Sequence, residues 1–282
     1  MKNKRKLVGQ IALITVLSVI CIIWVIPFIF LVGLSFRTDA SIQSDQFVFF
    51  PVGSNFTLDN YKVIFGHSTN VPILTWLVNS LIVATATALI SVIICSLSAF
   101  AYARLNFKMK NFLFSLLMVT MMVPGIITII PNFLTSSALN ITDSLWGLII
   151  PCVGGVTNVY LIRQFLYSIP KELDESAKID GANNFRMFYR IILPQMVPIL
   201  VVVGINSFLG SWNDLLWPRI VNTESIWNTM TSGLSMITSA FDRKYGIIAA
   251  ATVISAVPVL LLFIIAQKYI IKGISATSGM KE

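Results

Sequence analysis

Six long stretches of the sequence contain no Asp, Glu, Lys or Arg, and no other feature constrains the fold as strongly. As a helix, each is long enough to cross about 30 Å of hydrocarbon. They are Leu7 to Phe36, Gly66 to Ala103, Asn111 to Thr142, Ser144 to Ile162, Ile191 to Asn213 and Tyr245 to Gln267. The second and third exceed one crossing, so their helices are expected to cover only about Ile73 to Tyr102 and Phe112 to Leu134. The sequence therefore predicts six transmembrane helices.

The composition supports the same class of protein. Of the 282 residues, 56% are hydrophobic and only 11% are charged, and the mean hydropathy is +0.83. A soluble globular domain is far less apolar than this. We therefore predict an all-α, multi-pass integral membrane protein in contact with lipid, in which residues 1–282 form a single transmembrane domain.

The basic residues indicate how the helices are oriented. With both termini in the cytoplasm, fifteen of the 20 Lys and Arg residues lie inside; the five outside are Arg37, Lys62, Arg219, Arg243 and Lys244. Cytoplasmic loops are enriched in Lys and Arg, so both termini are predicted to be cytoplasmic. The net charge of +8 is then explained by the orientation of the helices in the membrane. Because the basic residues do not cluster in a patch with aromatic residues between them, no nucleic-acid partner is expected.

The longest charged segment follows the fourth span and runs from Ile169 to Pro198. Pro170 suits the first position of a helix, and the acids that follow complement the helix dipole; they are Glu172, Asp174 and Glu175. A helix is therefore predicted to begin near Pro170. It is too short and too charged to span a bilayer, and it places Leu173 and Ala177 on one face, which we expect to contact a partner.

A second helix is predicted directly after the first. Gly181 can adopt the left-handed conformation that closes a helix, and Asn183 or Asn184 can cap the next one, which runs toward Pro194. The segment is thus expected to form a helix, a glycine turn and a helix, in the cytoplasmic loop between the fourth and fifth transmembrane helices.

Eight residues of this segment carry a family resemblance. They are Glu175, Ser176, Ala177, Asp180, Gly181, Ile191, Leu193 and Pro194. In their spacing they resemble the EAA loop of the membrane subunits of ATP-binding-cassette importers, whose pattern is E-A-A, three residues, G, nine residues, I-x-L-P. The one departure is Ser176, which stands where the family usually has its first alanine.

The resemblance extends over nearly the whole chain. Short motifs are similar to those of carbohydrate-type, maltose-transporter-like permeases; they are Phe49-Phe50-Pro51, Phe56 to Tyr61, Trp76 to Ser80, Ala101 to Arg104, Arg163 to Phe165, Trp212 to Pro218, Gln267 to Gly273 and Gly279 to Lys281. Such a permease translocates a sugar or oligosaccharide. The family also includes transporters of polyols and glycerol phosphate, and these stay as an alternative.

The resemblance implies partners and a site. In this family a coupling helix, here in the loop of about residues 168–194, docks in a cleft of a cytoplasmic ATPase. The implied partners are two ATPase subunits, a second homologous permease and an extracytoplasmic solute-binding protein, at the plasma membrane of a prokaryote. ATP and Mg belong to the ATPase, and no cofactor is implied for this chain. The implied coupling interface comprises Leu173, Glu175, Ser176, Ala177, Asp180, Gly181, Phe188, Leu193 and Pro194.

A few polar and aromatic residues fall within the predicted spans. Those considered for a substrate pathway are Asn79, Asn132, Asn158, Asn206 and Trp212. Amides can exchange hydrogen bonds with sugar hydroxyls, and an indole can stack on the apolar face of a sugar. The alternative for the amides is hydrogen bonding between helices, and for Trp212 it is packing.

Prolines within the spans, among them Pro124, Pro131 and Pro258, favour a kinked bundle around a cavity.

Several chemistries are excluded by what the sequence lacks. There is no G-x-x-x-x-G-K-[ST] loop for nucleotide phosphates, no H-E-x-x-H or G-x-S-x-G motif, and no metal-ligand spacing among the cysteines. The chain is therefore predicted to be a transport subunit without enzymatic activity and without a metal site. The competing class is a channel or ATP-independent carrier, although no charged residue lies in mid-membrane to drive one.

Overall fold

A computed structural model describes residues 2–44, 48–66, 71–240 and 244–278. Within these ranges the chain is mostly helical and has no β-strand, and an isolated antiparallel bridge joins Arg37 and Phe56. The all-α prediction is therefore confirmed for the described residues. Arg243, Lys281 and the Gly279–Met280 part of the predicted family motifs lie outside them.

Fifteen α-helices follow one another among the described residues. They are α1 (Lys2–Ser35), α2 (Asp39–Gln43), α3 (Asp59–Phe65), α4 (Ile73–Arg104), α5 (Lys110–Thr120), α6 (Gly125–Ala138), α7 (Leu145–Ile149), α8 (Val156–Leu166), α9 (Glu172–Ile179), α10 (Asn184–Met187), α11 (Leu193–Gln195), α12 (Val197–Trp212), α13 (Leu216–Val221), α14 (Met230–Ala240) and α15 (Tyr245–Ser278). A π-helical turn, Phe188–Ile192, joins α10 to α11.

Three of these helices contain a continuous stretch that is long and apolar enough to cross a membrane: Gly9–Ser35 in α1, Ile73–Arg104, which is α4, and Tyr245–Lys268 in α15. Three further stretches qualify only as bent pairs. They are α5 with α6, bent by 99°, the Leu145–Cys152 stretch with α8, bent by 47°, and Asn184–Gln195 with α12, bent by 80°. The six stretches occupy the positions of the six predicted spans.

The third span was expected to hold a helix over about Phe112 to Leu134, with its prolines producing kinks, and the structure has two separate helices there. The helix ends at Thr120 and restarts at Gly125, after Pro124. Proline has no N–H to donate and disfavours the helical conformation in the residue before it. These two effects account for a break at this position.

The chain divides into two compact units. The first comprises residues 1–74 and 234–257, and the second comprises residues 75–233 and 258–282. In the first unit the amide of Asn60 donates to the carbonyl oxygens of Ser35 and Arg37, both at 2.9 Å, and the ring of Phe36 stacks on that of Phe56. These contacts fold the loop after α1 onto the end of that helix. That residues 1–282 form a single domain stays a prediction.

The second unit contains the residues that were singled out for function. Its largest apolar core is formed by residues of α4, α8, α9 and the turn from α10 to α12, with Phe100, Ile162, Ala177, Ile192 and Val203 among its buried members. This core underlies the segment 168–194. A polar cavity lies within the same unit.

Candidate functional site

The helix–turn–helix prediction for residues 168–194 agrees with the structure. Helix α9 begins at Glu172, two residues after Pro170, because its first hydrogen bonds are accepted by the carbonyl oxygen of Lys171. The side chain of Asn183 accepts the N–H of Arg186 at 2.8 Å and so caps α10. Of the two candidate caps, Asn183 is therefore the one used.

Gly181 closes α9 in the left-handed conformation, with a φ of +73°. Its N–H donates to the carbonyl oxygen of Lys178 at 3.0 Å, and the N–H of Ala182 donates to that of Ala177 at 2.9 Å. This pair of bonds is the Schellman arrangement, in which a left-handed residue follows the helix end. The turn therefore depends on the backbone conformation of Gly181.

The face of α9 that carries Leu173 and Ala177 was expected to contact a partner, but other residues of this chain cover it. Ala177 is buried in the apolar core, and Leu173 is half-buried against the same core. Phe188 is also buried, with its ring centroid 5.1 Å from that of Phe100, and Leu193 packs partly against this core. These four predicted interface residues hold the segment onto the body of the second unit. Spacing alone does not say which neighbour covers a face, so the sequence did not reveal these contacts within the chain. That the four residues also contact an ATPase stays a prediction.

The other five predicted interface residues are exposed: Glu175, Ser176, Asp180, Gly181 and Pro194. Beside them lie three large side chains that were not predicted, Ile179, Phe185 and Tyr189, which are 86%, 72% and 62% exposed. Phe185 and Tyr189 are four residues apart, a spacing that places two side chains on one helical face. We call these eight residues the exposed face of the segment. Their acids and apolar side chains make it a surface suited to docking.

Replacing Gly181 provides a test of this turn. A Cβ at this position would meet no atom within 4 Å, so the effect of substitution comes from the positive φ and not from a clash. Gly181→Val should therefore reduce transport strongly, since a β-branched residue is a poor occupant of the left-handed region. Gly181→Asn should retain most of it, because asparagine tolerates that region. Uptake by membranes with equal amounts of each variant measures the effect, and equal uptake by both variants and the wild type would contradict the assigned turn.

The cavity of the second unit has a volume of about 210 Å³. It is lined by Thr87, Cys152, Gly154, Asn158, Asn206, Ser207, Gly210, Ser211 and Asp214. The amide of Asn158 donates to Ser207 Oγ at 3.0 Å, and the amide of Asn206 donates to Asn158 Oδ1 at 3.2 Å. The volume of the cavity is well above the roughly 10–15 Å³ that a single water requires, so the cavity has room for several waters or for one small hydroxylated group.

Two of the five predicted pathway residues, Asn158 and Asn206, thus meet at this cavity, and the other three lie elsewhere. Asn79 is buried, and its amide donates to the carbonyl oxygens of Ile226 and Asn228 at 2.8 and 3.0 Å. The indole of Trp212 is buried and stacks on Phe208. Asn132 is exposed on α6. The Asn79 amide thus holds the connection between α13 and α14 and not another membrane helix, and Trp212 makes a packing contact.

Asp214 is a lining residue that was not among the predicted pathway residues, although it follows α12 directly in the sequence. Its Oδ1 accepts the N–H groups of Leu216 and Trp217 at 3.1 and 3.2 Å, so it caps the start of α13. Burial raises the pKa of this carboxyl, and the two backbone hydrogen bonds oppose that shift. The cavity therefore combines hydroxyl and amide groups with one acidic group.

Comparison with known proteins identifies the family. The family model for the inner membrane component of binding-protein-dependent transport systems matches residues 91–276. The chain is 31% identical over 281 residues to the arabinooligosaccharides transport system permease protein of Halalkalibacterium halodurans, and the match covers 100% of both chains. It is 30% identical to the galactooligosaccharides transport system permease protein of Bacillus subtilis, with 92% of each covered.

A solved structure has the same fold. The crystal structure of a bacterial ABC transporter involved in the import of the acidic polysaccharide alginate includes a chain that matches with a TM-score of 0.80 at 19% identity, covering 93% of this chain and 96% of that one. The fold, the motifs and the extent of the match agree. This chain belongs to the family of inner membrane components of binding-protein-dependent transport systems and is a multi-pass membrane protein of that family.

Proposed function

We propose that this chain is the permease subunit of an ATP-driven importer that translocates a sugar or oligosaccharide delivered by an external solute-binding protein. The observation that carries the proposal is the similarity to oligosaccharide permeases over the entire length of both chains. The spacing of the EAA-like loop and the exposed face of the segment support it.

In the membrane, six spans cross the plasma membrane and both termini are cytoplasmic. Two of the bent pairs each form one span, whereas in the third pair α12 forms the fifth span and Asn184–Gln195 belongs to the cytoplasmic loop and its junction with that span. The three continuous and three bent apolar stretches support six crossings. The distribution of the basic residues supports the orientation. Helix α9 then lies in the cytoplasmic loop between the fourth and fifth spans.

A pair of reporter fusions tests this topology. A reporter that is active only in the cytoplasm should work when it is fused after Lys171 and should fail when it is fused after Thr57. Each fusion is compared at equal abundance in the membrane, with a second reporter that is active only outside as the reciprocal control. The reverse pattern, or activity at both positions, would contradict the orientation.

The energy comes from other subunits. The sequence has no phosphate-binding loop, so ATP and Mg are bound by two ATPase subunits, and a second homologous permease completes the pathway. Helix α9 sits in a groove of the ATPase with its exposed face. Closure of the ATPases on ATP moves α9 as a rigid body and alternates the access of the attached helices between the two sides.

The external face receives the binding protein on the segment 222–228. The carboxylate of Asp143 accepts the backbone N–H of Glu224 at 3.0 Å, and the amide of Asn79 holds the carbonyl oxygen of Ile226. The hydrogen bond from the Glu224 N–H also lowers the pKa of Asp143. The Ile226 side chain is 51% exposed on this segment. A segment fixed in this way presents an apolar contact without the entropic cost of ordering a loop on binding.

A neutral sugar fits the cavity of this chain better than a glycerol phosphate. The lining residues offer amide and hydroxyl groups and the carboxyl of Asp214, and they include no Lys or Arg. A phosphate is usually bound by Arg, Lys or backbone N–H groups. The chemistry of the cavity thus favours a neutral hydroxylated substrate over a glycerol phosphate, whereas it does not separate a sugar from a polyol.

Reconstitution of the whole importer tests the proposal. The chain is co-expressed with the proposed second permease and ATPase of its source organism, and the purified complex is placed in vesicles with ATP inside and binding protein outside. Uptake of labelled oligosaccharide that depends on ATP and on the binding protein is the expected result. Uptake by the isolated chain without ATP would support a carrier or channel and would overturn the proposal.

A further inference from the structure

The guanidinium of Arg104 joins three elements of the second unit. Arg104 is the last residue of α4, and its side chain is only 2% exposed. One terminal nitrogen donates to the carbonyl oxygens of Leu166 and Ile169 at 2.9 and 2.7 Å, at the end of α8 and just beyond it. The other terminal nitrogen lies 3.2 Å from Asp174 Oδ2, in the first turn of α9. One side chain therefore fixes the short connection between α8 and α9 onto the end of α4.

The remaining contacts of α9 with the core are apolar. Leu173 and Ala177 face the core, and the hydrophobic effect that holds them is not directional. Such contacts keep α9 on the core but do not define the angle between α9 and α4. The ion pair, in contrast, requires the carboxylate to stay within reach of a guanidinium that is itself held by two carbonyl oxygens.

The contribution of the Arg104–Asp174 pair to the stability of the fold does not by itself explain its presence at a buried site. The side chain of Asp174 is 11% exposed, so both partners have lost most of their contact with water. Well-packed apolar residues of similar volume often stabilise a buried site as well as an ion pair does. Moreover, Arg104 Nε and Asp174 Oδ1 are buried without a hydrogen-bond partner among the residues that the structure describes. The pair is therefore costly, and the best-attested use of such a buried pair is to fix a geometry or a register.

We propose that Arg104 and Asp174 are positioning residues that hold α9 at a fixed angle to α4, so that a displacement of α9 is transmitted to the membrane helices. The inference rests on the proposed function, in which α9 is the element that the ATPase moves. It adds to that function a specific joint between the docking helix and two membrane helices. The exposed face of α9 binds the ATPase, and the pair on its buried face passes the movement on.

Asp174→Asn tests the joint, with Glu172→Gln as its matched control. Both variants remove one negative charge from the first turn of α9 and keep the shape of the side chain, but Glu172 is exposed. In the reconstituted importer, Asp174→Asn should retain the bound ATPase and the basal rate of ATP hydrolysis, because the exposed face is unchanged. Stimulation of hydrolysis by loaded binding protein, and sugar uptake, should fall by about tenfold or more, the usual range for a lost coupling. Glu172→Gln should behave as the wild type does.

Arg104→Lys is the second variant. It keeps the positive charge opposite Asp174 but loses the fork that binds the two carbonyl oxygens as well, so it should show the same loss of stimulation at normal assembly. Normal stimulation in both variants would overturn the inference. Failure of both variants to accumulate in the membrane would also overturn it, because the pair would then serve folding. If the wild-type chain itself binds no ATPase, the proposed function fails and the inference fails with it. If the wild type binds the ATPase and is stimulated normally, the results for the two variants test only the role of the Arg104–Asp174 pair.

Discussion

Gly233→Ala should destabilise the protein by about 1–3 kcal/mol, the usual cost of overfilling a packed interior. A Cβ at Gly233 would lie 2.1 Å from Trp76 Cε3 and within 2.5 Å of two further atoms of that ring. The indole has little room to withdraw, because Trp76 is 1% exposed and its Nε1 donates to the carbonyl oxygen of Ser225 at 2.6 Å. Here the close approach of α14 to α4 depends on the missing side chain. The apparent melting temperature of the chain in detergent measures the loss.

Gly204→Ala is the matched control for this prediction. It makes the same change inside another apolar helix, α12, where the new Cβ would meet a methyl group of Val92 at an ordinary 3.5 Å. Since alanine is the better helix former, Gly204→Ala should be neutral or slightly stabilising. Trp76→Phe, which makes the ring smaller, should destabilise the wild type but partly rescue Gly233→Ala. Equal melting temperatures for Gly233→Ala and the wild type would contradict the packing described here.

The sequence located the membrane helices well where no proline breaks them and less well where one does. Helix α4 was predicted to span Ile73 to Tyr102 and covers Ile73 to Arg104. The third span breaks before Pro124, yet Pro131 and Pro258 lie inside continuous helices. Each proline removes one backbone N–H donor and so leaves one carbonyl oxygen of the preceding turn without its partner. Whether the helix kinks or ends there depends on how residues from other parts of the fold pack against this site, which the local sequence does not show.

Local conformation in the segment 168–194 was more predictable than its packing. The left-handed Gly181 and the cap at Asn183 follow from short-range chemistry that is written in adjacent residues. The direction in which Leu173 and Ala177 face does not, because an apolar pair on one helical face fits an internal core as well as a partner. In the structure Leu173 and Ala177 pack against the core, and Glu175 and Ser176 are exposed.

Contacts between distant parts of the chain were the least predictable. The amide of Asn79 reaches carbonyl groups almost 150 residues later in the chain, and Arg104 meets Asp174 seventy residues away. In the sequence Arg104 counted as one basic residue toward the topology and as the last residue of the Ala101 to Arg104 motif, and neither use indicated Asp174 as its partner. A charge contributes to the positive-inside bias wherever its side chain points, so that rule carries no information on pairing.

Glu175→Lys should abolish the stimulation of ATP hydrolysis by loaded binding protein. Glu175 lies in the first half of α9 on the exposed face, and no hydrogen bond or ion pair to its carboxylate is present among the described residues. On the proposed function this carboxylate receives a charge-assisted hydrogen bond from the ATPase, which is roughly twice as strong as a neutral one. Reversing the charge both removes that bond and adds repulsion, so the variant should lose the ATPase in a pull-down or retain it without stimulated hydrolysis.

Lys178→Glu separates docking from a simple helix effect. It reverses a charge three residues further along the same exposed helix, at a position outside the EAA-like pattern. If Glu175 served only to complement the helix dipole, its replacement would cost about 0.3–1 kcal/mol and both variants would be mild. If Glu175 binds the ATPase, Glu175→Lys should be far more severe than Lys178→Glu at equal abundance in the membrane. A Glu175→Lys complex with its full complement of ATPase and normal stimulation would remove this residue from the coupling interface, and with it the main support for docking through α9.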